Sequence, residues 1–425
     1  MYRRDLLKYL SLASMAPLGI PAISSAASVT PYAGKIFISI HAMGGWDVSS
    51  FCDPKDSAKT NHWVGKGTVG QAGNLLYAPY AKTPAFFQKY YKHMLVINGI
   101  DYQTNAHTAG VVHSWSGRLA KGYPAFSALY AAAVASDYPM AFVNSGGYDE
   151  TAGAIAFTKM PAERILQQIA RPNLDNYGKP ILKQAEIDIV KRYQLERMDR
   201  QLQKTTLLPR EQDGLGALLS AKSNTGLLES FADNYPSAGA DLDAANPLIN
   251  QAHLALIAAK SGLTASINLQ VIDFDTHFNH DTVHAERLGK LTDGIDYIWT
   301  KAESLGIADR LILFVSSEFS RTPFYNDKGG KDHWPVSSAI FMQKPNASGL
   351  HWGNRVIGKT DLSQVAMKVN PTTLKVDPNG VLLQPKHIQL ALRRLAGIDG
   401  HLLCQKYNLG AESEYLDFFN PSLNT

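Results

Sequence analysis

Four short segments of this 425-residue chain gather the residue types that bind cations and move protons. Gly44-Gly45-Trp46-Asp47 sets one carboxylate beside two glycines. Asp273-Phe274-Asp275-Thr276-His277 offers two carboxylates and an imidazole within five positions. Ser316-Ser317-Glu318-Phe319-Ser320-Arg321 adds a carboxylate and a guanidinium. The stretch from Asn326 to Pro335 brings Lys331, Asp332 and His333 after a pair of glycines. Carboxylate oxygens and neutral imidazoles together suit a divalent ion of the zinc or manganese kind, and no cysteine cluster competes for that role. Each segment also has a plain structural reading. Asp47 can cap a helix, Asp275 and His277 can belong to a surface turn, Glu318 can pair with Arg321, and His333 can pack against Trp334.

What joins the four is their position after apolar runs. Lys35–Ile40, His93–Ile100, Met140–Asn144, Ile267–Ile272 and Leu311–Val315 read as buried strands, and Ser338–Gln343 as a further one. Phe126–Ala135 and Pro247–Ser261 read as helices between them. Apolar strands alternating with helices predict an α/β fold, a mostly parallel sheet covered on both faces. Ligands of such sheets sit beyond the carboxyl ends of the strands, where the polar segments fall. Residues 180–232 are charged and helical in pattern and read as an insertion on the sheet; residues 401–425 read as a C-terminal tail. His107 and His113 are six apart, share no helical face and read as structural.

Composition excludes other classes. Hydrophobic residues make up 45% and charged residues 18%, which rules out disorder, collagen and coiled coil. A formal net charge of +4 is too small to argue for nucleic acid or an anionic membrane as partner. At the N-terminus, Arg3-Arg4 precede Leu6-Leu7-Lys8 and an apolar stretch around Leu10–Ile23 that ends in Ser24-Ser25-Ala26-Ala27. The pattern reads as a twin-arginine signal over residues 1–27, broken by Pro17, Gly19 and Pro21 and too short for a stable membrane anchor. It predicts a periplasmic or secreted protein whose first partner is the twin-arginine export machinery. Cys52 and Cys404 read as buried free thiols, with a bridge between them as the alternative.

The paired arginines, GGWD at 44–47, FDTHFN at 274–279, SSEFSRTP at 316–323 and NDKGGKDHWP at 326–335 together resemble the bacterial domain-of-unknown-function 1501 family, from about Lys35 to about Leu395. That family is similar in fold to the alkaline phosphatase and sulfatase superfamily. The resemblance implies an alkaline-phosphatase-like domain over 35–400 with a divalent metal (zinc, manganese or calcium) at the strand ends. It implies Asp47, Asp275 and His277 (or Asp273 and His277), Glu318 and His333 as ligands, with Asp332 beside the last. Arg321 or Lys331 would neutralise a substrate anion. The nucleophile belongs near Thr104-Asn105-Ala106-His107-Thr108, where Ala106 takes the place of the family's serine and leaves Thr104 or Thr108 as hydroxyls. Phe319 stands where the superfamily has a histidine. The function implied is hydrolysis of phosphate or sulfate esters of small molecules or polysaccharides. The alternative is a non-catalytic binding or assembly protein that keeps the fold.

Overall fold

A computed structural model describes residues 30–159, 170–175, 178–204, 206–208, 211–212, 215, 225–235, 245–345, 351–410 and 412–423. The signal expected over residues 1–27 lies outside these. The centre is an eight-stranded sheet. Its strands are β1 (Ile36–Ala42), β2 (Met94–Asp101), β3 (Phe142–Asn144), β4 (Phe157–Thr158), β5 (Ser266–Val271), β6 (Leu311–Ser316), β7 (Val336–Met342) and β8 (Arg355–Ile357). In space they run β8-β2-β7-β6-β1-β5-β3-β4. All are parallel except β7, which is antiparallel to both of its neighbours. All seven residues of β1 are buried, because a strand covered on both faces has no wet side to alternate toward. The six expected strands are present.

The helices are α1 (His107–Ser116), α2 (Phe126–Val134), α3 (Gln184–Leu202), α4 (Thr225–Asn234), α5 (Pro247–Lys260), α6 (His280–Ser304) and α7 (Pro385–Leu395); α3 stands largely exposed, with Met198 its one buried residue. The start of α5 is written in its sequence. The Asn246 side chain accepts from the Leu248 N–H, and Pro247 takes the first turn, where its missing donor costs nothing. Within 180–232 the described residues contain α3 and most of α4. The C-terminal residues pack inward: Leu416 and Phe418 are buried, and Phe419 meets Phe341 edge-on at 5.1 Å. No helix among the described residues is long and apolar enough to cross a membrane. Cys52 and Cys404 are both free and buried.

Candidate metal centre

The site assembles at the carboxyl ends of β1, β5 and β6. Ser320–Arg321, just past β6, pairs antiparallel with His333–Trp334, so the third and fourth motifs become one ribbon. The loop before His333 folds back onto the β5 end. A Cβ at Gly330 would lie 1.9 Å from the His277 carbonyl carbon, an approach only glycine permits. From the other side comes α1. A Cβ at Gly110 would lie 2.4 Å from the Glu318 carbonyl oxygen, so the helix sits directly on the β6 end and holds His107 over it.

Three imidazoles and one carboxylate meet there. His277 Nε2 is 3.0 Å from Asp275 Oδ1, and His333 Nε2 is 3.2 Å from the same oxygen. His107 Nε2 is 3.4 Å from Asp275 Oδ2, and His277 Nε2 lies 3.1 Å from His333 Nε2. Each ring commits its other nitrogen. His107 Nδ1 donates to Glu318 Oε1 at 2.7 Å, His277 Nδ1 to Asp332 Oδ1 at 2.7 Å, and His333 Nδ1 to the Asn105 carbonyl at 2.7 Å. A carboxylate or backbone carbonyl can only accept, so in the tautomer that bonds through Nδ1–H each neutral ring turns its Nε2 lone pair inward, toward Asp275. Two such nitrogens 3.1 Å apart beside a carboxylate need either a proton or a metal ion between them. Outer hydrogen bonds on the far nitrogen are what orient metal-binding histidines. His107, Asp275 and His333 each present a ligand atom within 4.8 Å of the others, and the donor set therefore fits a divalent ion.

Electrostatics below the cluster supports the same reading. Glu318 is fully buried and accepts from His107, from His41 Nε2 at 2.9 Å, from the Ser317 hydroxyl and from the Gly44 N–H. Burial alone would raise its pKa; the bonds from His107 and His41 outweigh this and hold it well below the ordinary range. The same Glu318 bond raises the pKa of His107. Burial would likewise raise Asp275, but Arg321 beside it keeps its carboxyl low. Burial lowers His333. Phe319 is buried and packs on the rings of His107 and His333, with centroids 4.8 and 4.6 Å away, so it supports the imidazoles it cannot replace.

Several expected residues stand elsewhere. Asp47 is fully buried away from the cluster. It caps Val48–Ser50, accepts from Ser49 N–H and hydroxyl, and pairs with Lys331 at 2.7 Å and His280 at 3.0 Å. Asp47 and Lys331 are thus each other's counter-charges in a closed polar knot, and Lys331 reaches no substrate. Asp273 points to Arg287 at 3.4 Å. Arg321 is buried and spends its donors on the carbonyls of Gly44, Gly45 and Lys331 and on Asp275 at 2.6 Å, so it fixes a ligand and does not meet an anion. Glu318 and Asp332 hold histidines from behind. Ala106 takes the N-cap position of α1 with no side-chain cap. The Thr104 hydroxyl accepts from the Ala106 N–H at 3.2 Å, and Thr108 is exposed on the first turn.

His107 and His41 are the site residues that spacing arguments missed. His107 acts from the first residue of α1, so its phase relative to His113 is immaterial. His113 donates to the Tyr102 carbonyl and is structural, as expected. His41 lies inside a strand, where an imidazole reads as filler. Trp46, Trp63, Trp115 and Trp352 are buried in the core. Gly65-Lys66-Gly67-Thr68-Val69-Gly70 has the glycine spacing of a dinucleotide-binding turn. It leads into the three-residue strand Gly70–Ala72 and not into a helix, so the context that motif requires is missing.

A family model described as "Protein of unknown function (DUF1501)" matches residues 35–375, and the chain belongs to that family. Among solved structures the chain is similar to a sulfatase from Pseudoalteromonas sp., at 10% identity and a TM-score of 0.42, covering 90% of this chain and 72% of that one. It is similar to alkaline phosphatase from the Antarctic bacterium TAB5, at 12% identity and a TM-score of 0.33, covering 88% and 99%. The lipoteichoic acid synthase LtaP from Listeria monocytogenes matches at 10% identity and a TM-score of 0.37, covering 91% and 76%. Among curated proteins no sequence matches.

Proposed function

We propose that the chain is a divalent-metal-dependent hydrolase of anionic esters, of phosphate or sulfate, with His107, Asp275, His277 and His333 holding the ion. The observation that carries this reading is the inward convergence of three Nε2 atoms on Asp275, each ring held from behind by an acceptor at Nδ1. A bound divalent ion supplies Lewis acidity toward an ester oxygen and lowers the pKa of water. The chain's own residues do the rest. Asp332, the Asn105 carbonyl and Glu318 fix the three rings, and Arg321 fixes Asp275. The side chains of His107, His277 and Asp275 keep 38%, 39% and 43% of their surface exposed, which leaves one side open to a ligand. The α1 N-terminus borders that side, and its uncapped N–H groups favour an anion.

With alanine at 106, hydrolysis here does not use a covalent serine; it runs through water. Purified protein supplied with zinc or manganese should release p-nitrophenol from p-nitrophenyl phosphate or sulfate, and His277→Ala should abolish the release. Absence of turnover of both esters by metal-loaded protein would favour the second reading, a non-catalytic exported binding or assembly protein. The missing hydroxyl at Ala106 is what favours that alternative. Export through the twin-arginine machinery into the periplasm, and a polysaccharide ester as natural substrate, belong to the same proposal; Arg3-Arg4 and the apolar stretch after them motivate the first.

A further inference from the structure

The helix α3 carries a surface that the body of the protein leaves uncovered. At about 100° per residue, Ile187, Met198 and Leu202 fall on one side of it. That side meets the protein, for Met198 is buried and Ile187 and Leu202 are half-buried. Ile189, Val190 and Tyr193 fall on the opposite side and are 49%, 45% and 58% exposed. Large apolar side chains adjoining on one outward stripe mark an interaction surface.

The charges on the same stripe indicate its partner. Glu186 lies one turn before Val190 and Arg197 one turn after Tyr193, and both are exposed. Among the described residues neither has an ion-pair partner, whereas the neighbouring Arg192 and Glu196 pair with each other across one turn at 4.0 Å. Glu186 accepts the Lys183 N–H through Oε2 and keeps Oε1 for a second contact. Along the stripe the order is Glu186, Val190, Tyr193, Arg197. The midpoint between Glu186 and Arg197 is also the midpoint between Val190 and Tyr193. One twofold axis through that point therefore sets Val190 of one copy on Tyr193 of the other and Glu186 of each opposite Arg197 of the other. Such a contact closes at two copies. A parallel arrangement would set like charges together at both ends, so the stripe is complementary to itself only when reversed.

We propose that α3 is a dimer interface, two copies of this chain pairing antiparallel through Val190 and Tyr193 with a Glu186–Arg197 ion pair at each end. The inference stands independently of the proposed hydrolysis. Few apolar residues on each side make a small interface, so the association is reversible, with a dissociation constant on the order of 10 μM. Sedimentation equilibrium of the purified protein, over about two decades of concentration around that value, tests it. Wild type should pass from monomer to dimer. Tyr193→Glu should weaken the dimer by at least about tenfold, as should Glu186→Arg or Arg197→Glu, each of which places like charges at both ends. The double exchange, Glu186→Arg with Arg197→Glu, should restore it. That rescue is something a merely unfolded variant would not show, and melting curves of the dilute proteins confirm that each variant folds. A wild type that stays monomeric throughout, a dimer untouched by Tyr193→Glu, or single exchanges that the double one does not rescue would each overturn the proposal. A monomer that binds phosphatidylglycerol-containing vesicles, and loses them in Tyr193→Glu, would overturn it too and assign the stripe to a membrane.

Discussion

Glu318 shows how one buried residue governs the cluster without entering it. Its two oxygens hold His107 and His41 at 2.7 and 2.9 Å, and its ionised form is what pins the His107 proton to Nδ1. Glu318→Gln keeps the shape but can offer an N–H toward His107 in place of an acceptor. Metal affinity should then fall about 10–100-fold, the usual effect of losing an outer partner; titration with a chromogenic chelator reads this directly. Asp47 is the opposite case, a residue of chemical type used for structure. Both it and Lys331 are 0% exposed, so Asp47→Asn strands a buried ammonium and should cost about 3–5 kcal/mol in denaturant unfolding at neutral pH. Lys331 holds Asp47 well below its ordinary pKa against the opposing effect of burial. The contribution is therefore present above pH ~4 and lost as the pH falls through the folded value.

The same knot sets a second pH dependence. Burial lowers His280 and lowers His284 further, so both stay neutral where an unfolded histidine would be protonated. The unfolded chain then binds more protons below pH ~6.5, and stability falls as the pH drops from there. His284 Nε2 accepts the Asp47 N–H at 2.9 Å, a bond a glutamine oxygen can also accept. Melting temperature between pH 8 and 5 should fall less steeply in His284→Gln than in the wild type; equal slopes would mean His284 titrates alike folded and unfolded.

Among the elements, α1 carries the most consequence for its length. Ten residues deliver His107, and Gly110 lets them lie against the β6 end. Gly110→Ala puts a methyl 2.4 Å from the Glu318 carbonyl oxygen, so the helix must shift. Overpacking of this kind costs about 1–3 kcal/mol. Metal affinity should drop more than thermal stability suggests, because His107 moves with the helix; calorimetric metal titration beside a melting curve separates the two. The strands were legible in the sequence because runs such as Ile36–Ile40 and Leu311–Val315 are apolar without alternation. The direction of β7 was not, since a two-residue period reads alike both ways. α6 was missed as well. It begins within the chemical motif, at His280, and its N-cap Asn279 is in the left-handed region with no side-chain cap to announce it.

On the scale of the whole molecule, the sheet brings together segments more than 200 residues apart and sorts them. Among the residues of the four motifs, Asp275, His277 and His333 converge. Asp332 and Glu318 sit one bond behind, and Asp47, Asp273 and Lys331 are drawn into other pairings. Residue type and strand-end position pointed to the region where Asp275, His277 and His333 meet. They could not rank one carboxylate against another, because burial and the nearest cation decide that, and both are products of packing. His107 replaces Asp47 for the same reason: α1 crosses the β6 end, and nothing in a local pattern records where a helix docks.

The proposed function stands or falls with a divalent ion held by the imidazoles of His107, His277 and His333 together with Asp275. Elemental analysis of the purified protein, with melting curves before and after chelator, tests it most directly. Wild type should carry about one zinc or manganese ion per chain and melt lower once the chelator removes it. His277→Ala and His333→Ala should lack the ion and show no response to chelator. A wild-type protein that remains metal-free after incubation with zinc and manganese, and whose melting ignores both metal and chelator, would mean that these four residues hold no ion.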